Sequence, residues 1–217
     1  MKLLALGDSF TVGAELKNPS RDCYPALIAN ENNWQLTNLA IGGASNDKII
    51  RLLFENIDHG YDVIIIGWTY PDRMEVNKNS EVVDPVDISP TFSSKIGYTW
   101  ALEYYAKHYN RLLSYKKHWT EVVMLQSYLK LRGQKYIFCN ITGLQSDIGS
   151  AYNDYIHELG YIFDQIDLTH YIDWPKLGMV EWAFPSPKGP GGHFLEEGHR
   201  KVAERINEHI RNIGWVS

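Results

Sequence analysis

Short apolar runs alternate along the chain with longer stretches whose apolar residues recur every three or four positions. Residues 3–6 (LLAL) form the first run, which stops at Gly7-Asp8-Ser9. Residues 35–39, 63–66 and 135–140 supply three more. The run at 63–66 (VIII) shows no polar alternation, as in a strand buried on both faces of a parallel sheet. Between these runs, residues 22–30 place Tyr24, Leu27 and Ile28 on one helical face. Ile49, Ile50, Leu53 and Ile57 recur at helical spacing behind the caps offered by Ser45, Asn46 and Asp47. Residues 147–159 predict a further helix and 161–163 a short strand. Residues 196–213 predict a final helix, opened by two acids, striped by Val202, Ala203, Ile206 and Ile210, and stopped by Gly214.

Strands alternating with helices predict one doubly wound α/β domain over residues 1–217, with a central parallel sheet and right-handed crossovers. An insertion is expected at about residues 70–132. Its first part, 70–96, is polar and holds Pro71, Pro85 and Pro90; it exceeds the usual loop length of under ~15 residues and reads as a lid, insertion or mobile segment. Its second part, 98–131, is helical and aromatic, with a break expected near 114–117. Ligands of such sheets bind where the carboxyl ends of strands meet the following loops. That selects residues 7–10, 40–45, 67–73 and 140 onward.

Composition narrows the classes. Of 217 residues, 44% are hydrophobic and 22% charged, which suits a globular chain. A net charge of -5 gives no support for a nucleic-acid partner. Cys23 and Cys139 stand far apart, so reduced thiols and no disulfide framework are expected. The N-terminal apolar run is too short for a signal peptide and no window reaches a membrane span, so a soluble, cytoplasmic protein is expected, whether chromosomal or phage-encoded. No His-Glu-x-x-His, paired Cys-x-x-Cys or phosphate loop is present, so no metal or cofactor is called for.

Three stretches carry candidate chemistry. Ser9 follows the first strand, where its hydroxyl can face a cleft and its N–H can serve as an oxyanion donor; a plain Gly-Asp-Ser turn is the competing reading. In NLAIGGASN (38–46), two glycines after a strand permit close backbone approach, or simply make a turn. In GPGGHFLEEGHRKVAERI (189–206), His193 lies on a glycine-rich loop before a helix, the placement a general base needs. His199, inside that helix, reads as a packing residue.

Taken together, LALGDSFTVG, NLAIGG and GGHFLEEGHRKVAERI resemble, in order, the first, second and last blocks of the GDSL/SGNH hydrolase family. The resemblance implies a flavodoxin-like α/β/α sandwich that cleaves esters, thioesters or acetylated sugars without a cofactor. It implies Ser9 as nucleophile, His193 as base, and the Ser9 and Gly43 N–H groups as oxyanion donors. Two positions depart from the family pattern: Thr69 stands where the oxyanion asparagine falls, and Pro190 where the aspartate three residues before the histidine falls. Thr69 can donate through its hydroxyl. The orienter of His193 must come from elsewhere; Asp167, Asp173 and Glu181 are candidates.

Asp8, Trp68 and Tyr70, at strand ends, are candidate substrate-binding residues for a small-molecule or carbohydrate ester. Tyr98, Trp100, Tyr104, Tyr105, Tyr109 and Trp119 read mainly as core of the insertion, and LLSYKKHW (112–119) as a solvated helix face. Three functions follow: an esterase or deacetylase, a catalytically degenerate binding or virion-associated module on the same fold, and an O-acyltransferase to a sugar hydroxyl.

Overall fold

A computed structural model of the chain describes residues 1–77, 85–90 and 98–216. Its central sheet has four strands: β1 (Lys2–Leu6), β2 (Gln35–Asn38), β3 (Val63–Trp68) and β6 (Lys135–Asn140). They run parallel in the order β2-β1-β3-β6. Side chains alternate across a strand, and here each side meets a different helical layer. Ile64, Ile66 and Trp68 of β3, with Leu4, Leu6, Tyr136 and Phe138, join one core. Val63 and Ile65, with Leu3, Ile137 and Cys139, join the other. That is why the run at 63–66 has no polar position. The result is the expected three-layer sandwich.

The first core is covered by α4 (Asn46–Asn56), α6 (Arg111–Leu131) and α8 (Tyr152–Phe163). The second is covered by α3 (Tyr24–Glu31), α9 (Met179–Ala183) and α10 (Glu196–Asn212). Ser45 caps α4, its side chain accepting from the Lys48 N–H. The short helices α1 (Ser9–Val12) and α7 (Leu144–Ile148) follow the ends of β1 and β6, and α2 (Pro19–Asp22) packs on α3 and α10. Both cysteines are buried and free.

Three expectations change. Residues 161–163 do not form a strand. They complete α8, where Tyr155, Leu159 and Ile162 make one buried stripe and Tyr161 points outward. A three-residue apolar run cannot by itself distinguish the two periods. The break in the insertion falls at residues 108–110, between α5 (Thr99–Lys107) and α6, because Asn110 caps α6 by accepting from the Leu113 N–H. Ser114, at the expected break, instead donates its hydroxyl to the Pro71 carbonyl from within the helix. Of the insertion's aromatics, Trp119 is core, whereas Tyr98, Trp100, Tyr104, Tyr105 and Tyr109 are half-buried or exposed.

The polar stretch after β3 contains a hairpin of β4 (Met74–Asn77) and β5 (Pro85–Ile88), held over α4 by ion pairs of Lys48 with Asp87 and of Arg51 with Glu75. The rest of that stretch, 78–84 and 91–97, lies outside the described residues. In 112–119, Tyr115, His118 and Trp119 are buried; Lys117 faces outward and pairs with Asp47. No helix among the described residues is long and apolar enough to cross a membrane.

Candidate active site

β1 ends at Leu6, and the next three residues turn its chain into α1. Gly7 is required there by close approach: a Cβ on it would sit 2.1 Å from Thr11 Oγ1 and 3.0 Å from the Gly67 carbonyl oxygen. Asp8 caps α1, its carboxylate accepting from the Phe10 N–H. Ser9 is therefore the first residue of a helix seated on the carboxyl end of a central strand, and it is 9% exposed. Gly13 closes α1 in the left-handed region, donating its N–H to the Ser9 carbonyl.

Asp8 is fully buried and gathers the neighbouring strand end. Its Oδ2 accepts from the Thr69 hydroxyl at 2.9 Å and pairs with Arg73 at 2.7 Å. Arg73 also donates to the Ala44 carbonyl at 3.3 Å, beside Gly43. Gly43 itself lies at φ +78° in the turn before α4. The Asn38 side chain braces that turn, accepting from the Ala40 N–H and donating to the Thr11 carbonyl. The single Thr69 hydroxyl proton thus goes to Asp8.

His193 comes from the far end of the chain. Its ring lies 4.9 Å from that of Phe10, the residue after Ser9, and Phe10 in turn meets Phe194 at 5.1 Å. The His193 ring thereby lies against the residue that follows Ser9. The three acids expected as orienters are occupied elsewhere. Asp167 bonds His170, Lys130 and Tyr136; Asp173 pairs with Arg205; Glu181 takes the Thr142 hydroxyl and the Gly143 and Gly178 N–H groups.

The carboxylate at His193 is Glu15. Its Oε2 lies 2.7 Å from His193 Nδ1 and accepts from the His193 N–H at 3.1 Å, while Oε1 accepts from the Gly191 N–H at 2.7 Å. These bonds, led by that from Gly191, hold the Glu15 carboxyl below its ordinary range. Sequence reasoning missed Glu15. The available signal was Gly13, which stops the helix one turn after Ser9 and keeps the following acid near the site.

The aromatic candidates are placed differently from one another. Trp68 is fully buried, edge-on to His118 and Phe138. Tyr70 is half-buried under the Arg73 guanidinium. Both line a cavity of about 20 Å³ with His118, Trp119 and Asn140; a second, of about 170 Å³, lies between α4 and α6. Neither is lined by Ser9 or His193. His199 is buried and accepts the Tyr24 N–H on Nδ1. Among the described residues, no group of three or more His, Cys, Asp or Glu is placed to hold a metal ion.

No family model and no curated protein matches the chain by sequence. Solved structures do match its fold. The psychrotrophic esterase EstA from Pseudoalteromonas sp., in a structure inhibited by monoethylphosphonate, aligns over 97% of both chains at 11% identity and a TM-score of 0.57. A G-D-S-L-family protein from Desulfitobacterium hafniense aligns over 96% of this chain and 98% of its own at 12% identity and 0.51. A two-domain esterase active on acetylated mannans aligns over all of this chain and half of its own at 14% and 0.53. The fold is that of the GDSL/SGNH hydrolases.

Proposed function

We propose that the protein is a serine ester hydrolase acting on small-molecule or carbohydrate esters. One observation supports the reading: the loop imidazole of His193 packs at 4.9 Å on Phe10, the residue that follows Ser9 on the first turn after β1. The esterase neighbours support the same class of chemistry.

In this reading Ser9 Oγ attacks the ester carbonyl carbon, and the hydroxyl proton passes to His193 Nε2. The carbonyl oxygen becomes an oxyanion, met by the N–H groups of Ser9 and Gly43. The C–O bond then breaks, and the leaving alcohol takes the proton from Nε2. Water, deprotonated by the same nitrogen, attacks the acyl carbon; the acyl–Oγ bond breaks, the acid leaves, and Nε2 returns the proton to Ser9 Oγ. Thr69 serves by holding Asp8, and so the Ser9 turn, rather than by touching the oxyanion. The test is hydrolysis of p-nitrophenyl acetate by wild type and Ser9→Ala. A rate at background in the variant is expected; equal rates refute the reading.

The commitment of the Thr69 hydroxyl to Asp8 favours a second reading, a binding module that has kept the fold without the reaction. A fluorophosphonate probe separates the two. The esterase reading expects an adduct on Ser9, and the binding module expects none.

A further inference from the structure

Deepening the esterase reading and resting on it, we propose that Glu15 is the residue that positions His193, and that the glycine loop at 189–192 is built to enclose its carboxylate. A carboxylate from the first loop thereby takes the place left by Pro190, three residues before the histidine.

Three independent observations support this assignment. The first is the hydrogen bonding. Glu15 receives three polar contacts from one loop: the Gly191 N–H, the His193 N–H and His193 Nδ1. An ionised carboxylate only accepts, so Nδ1 carries the proton and Nε2 keeps its lone pair for Ser9. The second is steric. A Cβ on Gly189 would lie 2.6 Å from Glu15 Cδ, and one on Gly191 2.9 Å from Oε2. Side chains at those positions would displace the carboxylate, so the glycines fit the approach of Glu15. The third is backbone conformation. Glu15 lies at φ +69°, in the left-handed region that non-glycine residues seldom adopt, two residues after the Gly13 stop. Such outliers persist where surrounding contacts over-determine them. Here the unusual conformation accompanies a carboxylate held by the 191–193 loop. The Glu15 and His193 side chains are 19% and 20% exposed, and the contact lies at the rim of the fold, open to solvent on one side.

During acylation the Ser9 proton moves to Nε2, the Nδ1 proton stays where it is, and Glu15 remains ionised beside the new imidazolium. Glu15 touches neither substrate nor reacting atoms; it acts through His193.

A purely structural anchor makes a different prediction. Glu15→Gln keeps an oxygen for the Gly191 N–H and the shape of the side chain, but loses the charge. The experiment measures p-nitrophenyl acetate hydrolysis by wild type, Ser9→Ala, Glu15→Gln and Gly191→Ala, with melting temperatures. The expected loss in kcat for Glu15→Gln is on the order of 10,000-fold with KM little changed, by comparison with loss of the acid from a serine-protease triad. Gly191→Ala, which retains Glu15 but crowds it, should also lose kcat. A readout on the unaltered protein completes the set: ¹⁵N NMR of histidine-labelled wild type should show neutral His193 as the Nδ1–H tautomer. Wild-type kcat in Glu15→Gln with an inactive Ser9→Ala overturns the role of Glu15 alone. An Nε2–H tautomer at His193 also overturns it, even if the variants fail to fold. Full activity in Ser9→Ala overturns both this proposal and the esterase reading.

Discussion

The side-chain amide of Asn46 pairs with the backbone of Thr69 in both directions. Its Nδ2 donates to the Thr69 carbonyl at 3.0 Å, and its Oδ1 accepts from the Thr69 N–H at 2.9 Å. Asn46 is 3% exposed and Thr69 4%, so water does not readily replace either bond. The first turn of α4 is thus fastened to the end of β3. Asn46→Ala should cost about 1–3 kcal/mol, the range for stranding a buried donor or acceptor. Urea denaturation should show a lower midpoint with an unchanged slope.

Arg73 neutralises a carboxylate that has no exposure at all, that of Asp8. Arg73→Met therefore leaves a buried charge without its cation, and about 3–5 kcal/mol should be lost. Adding Asp8→Asn to that variant removes the charge and should recover part of the loss. A double-mutant cycle by chemical denaturation measures the coupling; strict additivity would show that the pair does not act as a unit.

Two buried histidines make stability depend on pH. His118 is pushed down to about 3, by burial first and Lys117 second. His199 is pushed down to about 4, by burial first and His193 second. In the unfolded chain both titrate near 6.5. Between about pH 6.5 and 4 the unfolded chain binds more protons, so stability rises with pH through that window. Their contribution is fully present above 6.5 and falls on acidification, levelling off below the folded values. In mid-window the slope should approach about 1.4 kcal/mol per pH unit for each histidine. Urea midpoints at pH 7 and pH 5 test this. His118→Phe should remove roughly half of the histidine contribution, and an unchanged difference between the two pH values would count against it.

Gly7→Ala would drive a methyl into Thr11 Oγ1 and against the Gly67 carbonyl. Overpacking of this kind costs about 1–3 kcal/mol. Because the same turn carries Ser9, the proposed esterase activity should fall along with the denaturation midpoint. A normal midpoint with lost activity would mean that the clash is relieved by moving the Ser9 turn alone.

Much of the architecture was legible because burial leaves a local trace. Ile64 and Ile66 face one core while Val63 and Ile65 face the other, so the strand had to be apolar throughout. Ser45 ahead of the Ile49–Leu53 stripe marked the start of α4, and the acids and Gly214 marked the two ends of α10. Ser9 and His193 were singled out because each sits at such a boundary, Ser9 opening α1 and His193 three residues ahead of α10. Residues 161–163 were misread because three apolar residues do not define a period, and the insertion break because Ser114 satisfies its hydroxyl through Pro71 without leaving the helix.

What tertiary structure alone decided is which polar group meets which. Nothing local marks Asp167, Asp173 and Glu181 as engaged by Lys130, Arg205 and Thr142, or Glu15 as the acid that reaches His193 across 178 positions. Nor does sequence reveal that the Thr69 hydroxyl turns to Asp8. Hydrophobic burial is non-directional and leaves a periodic record along the chain. A hydrogen bond depends on distances of about 3 Å and on angles, and between remote segments only the folded chain sets them.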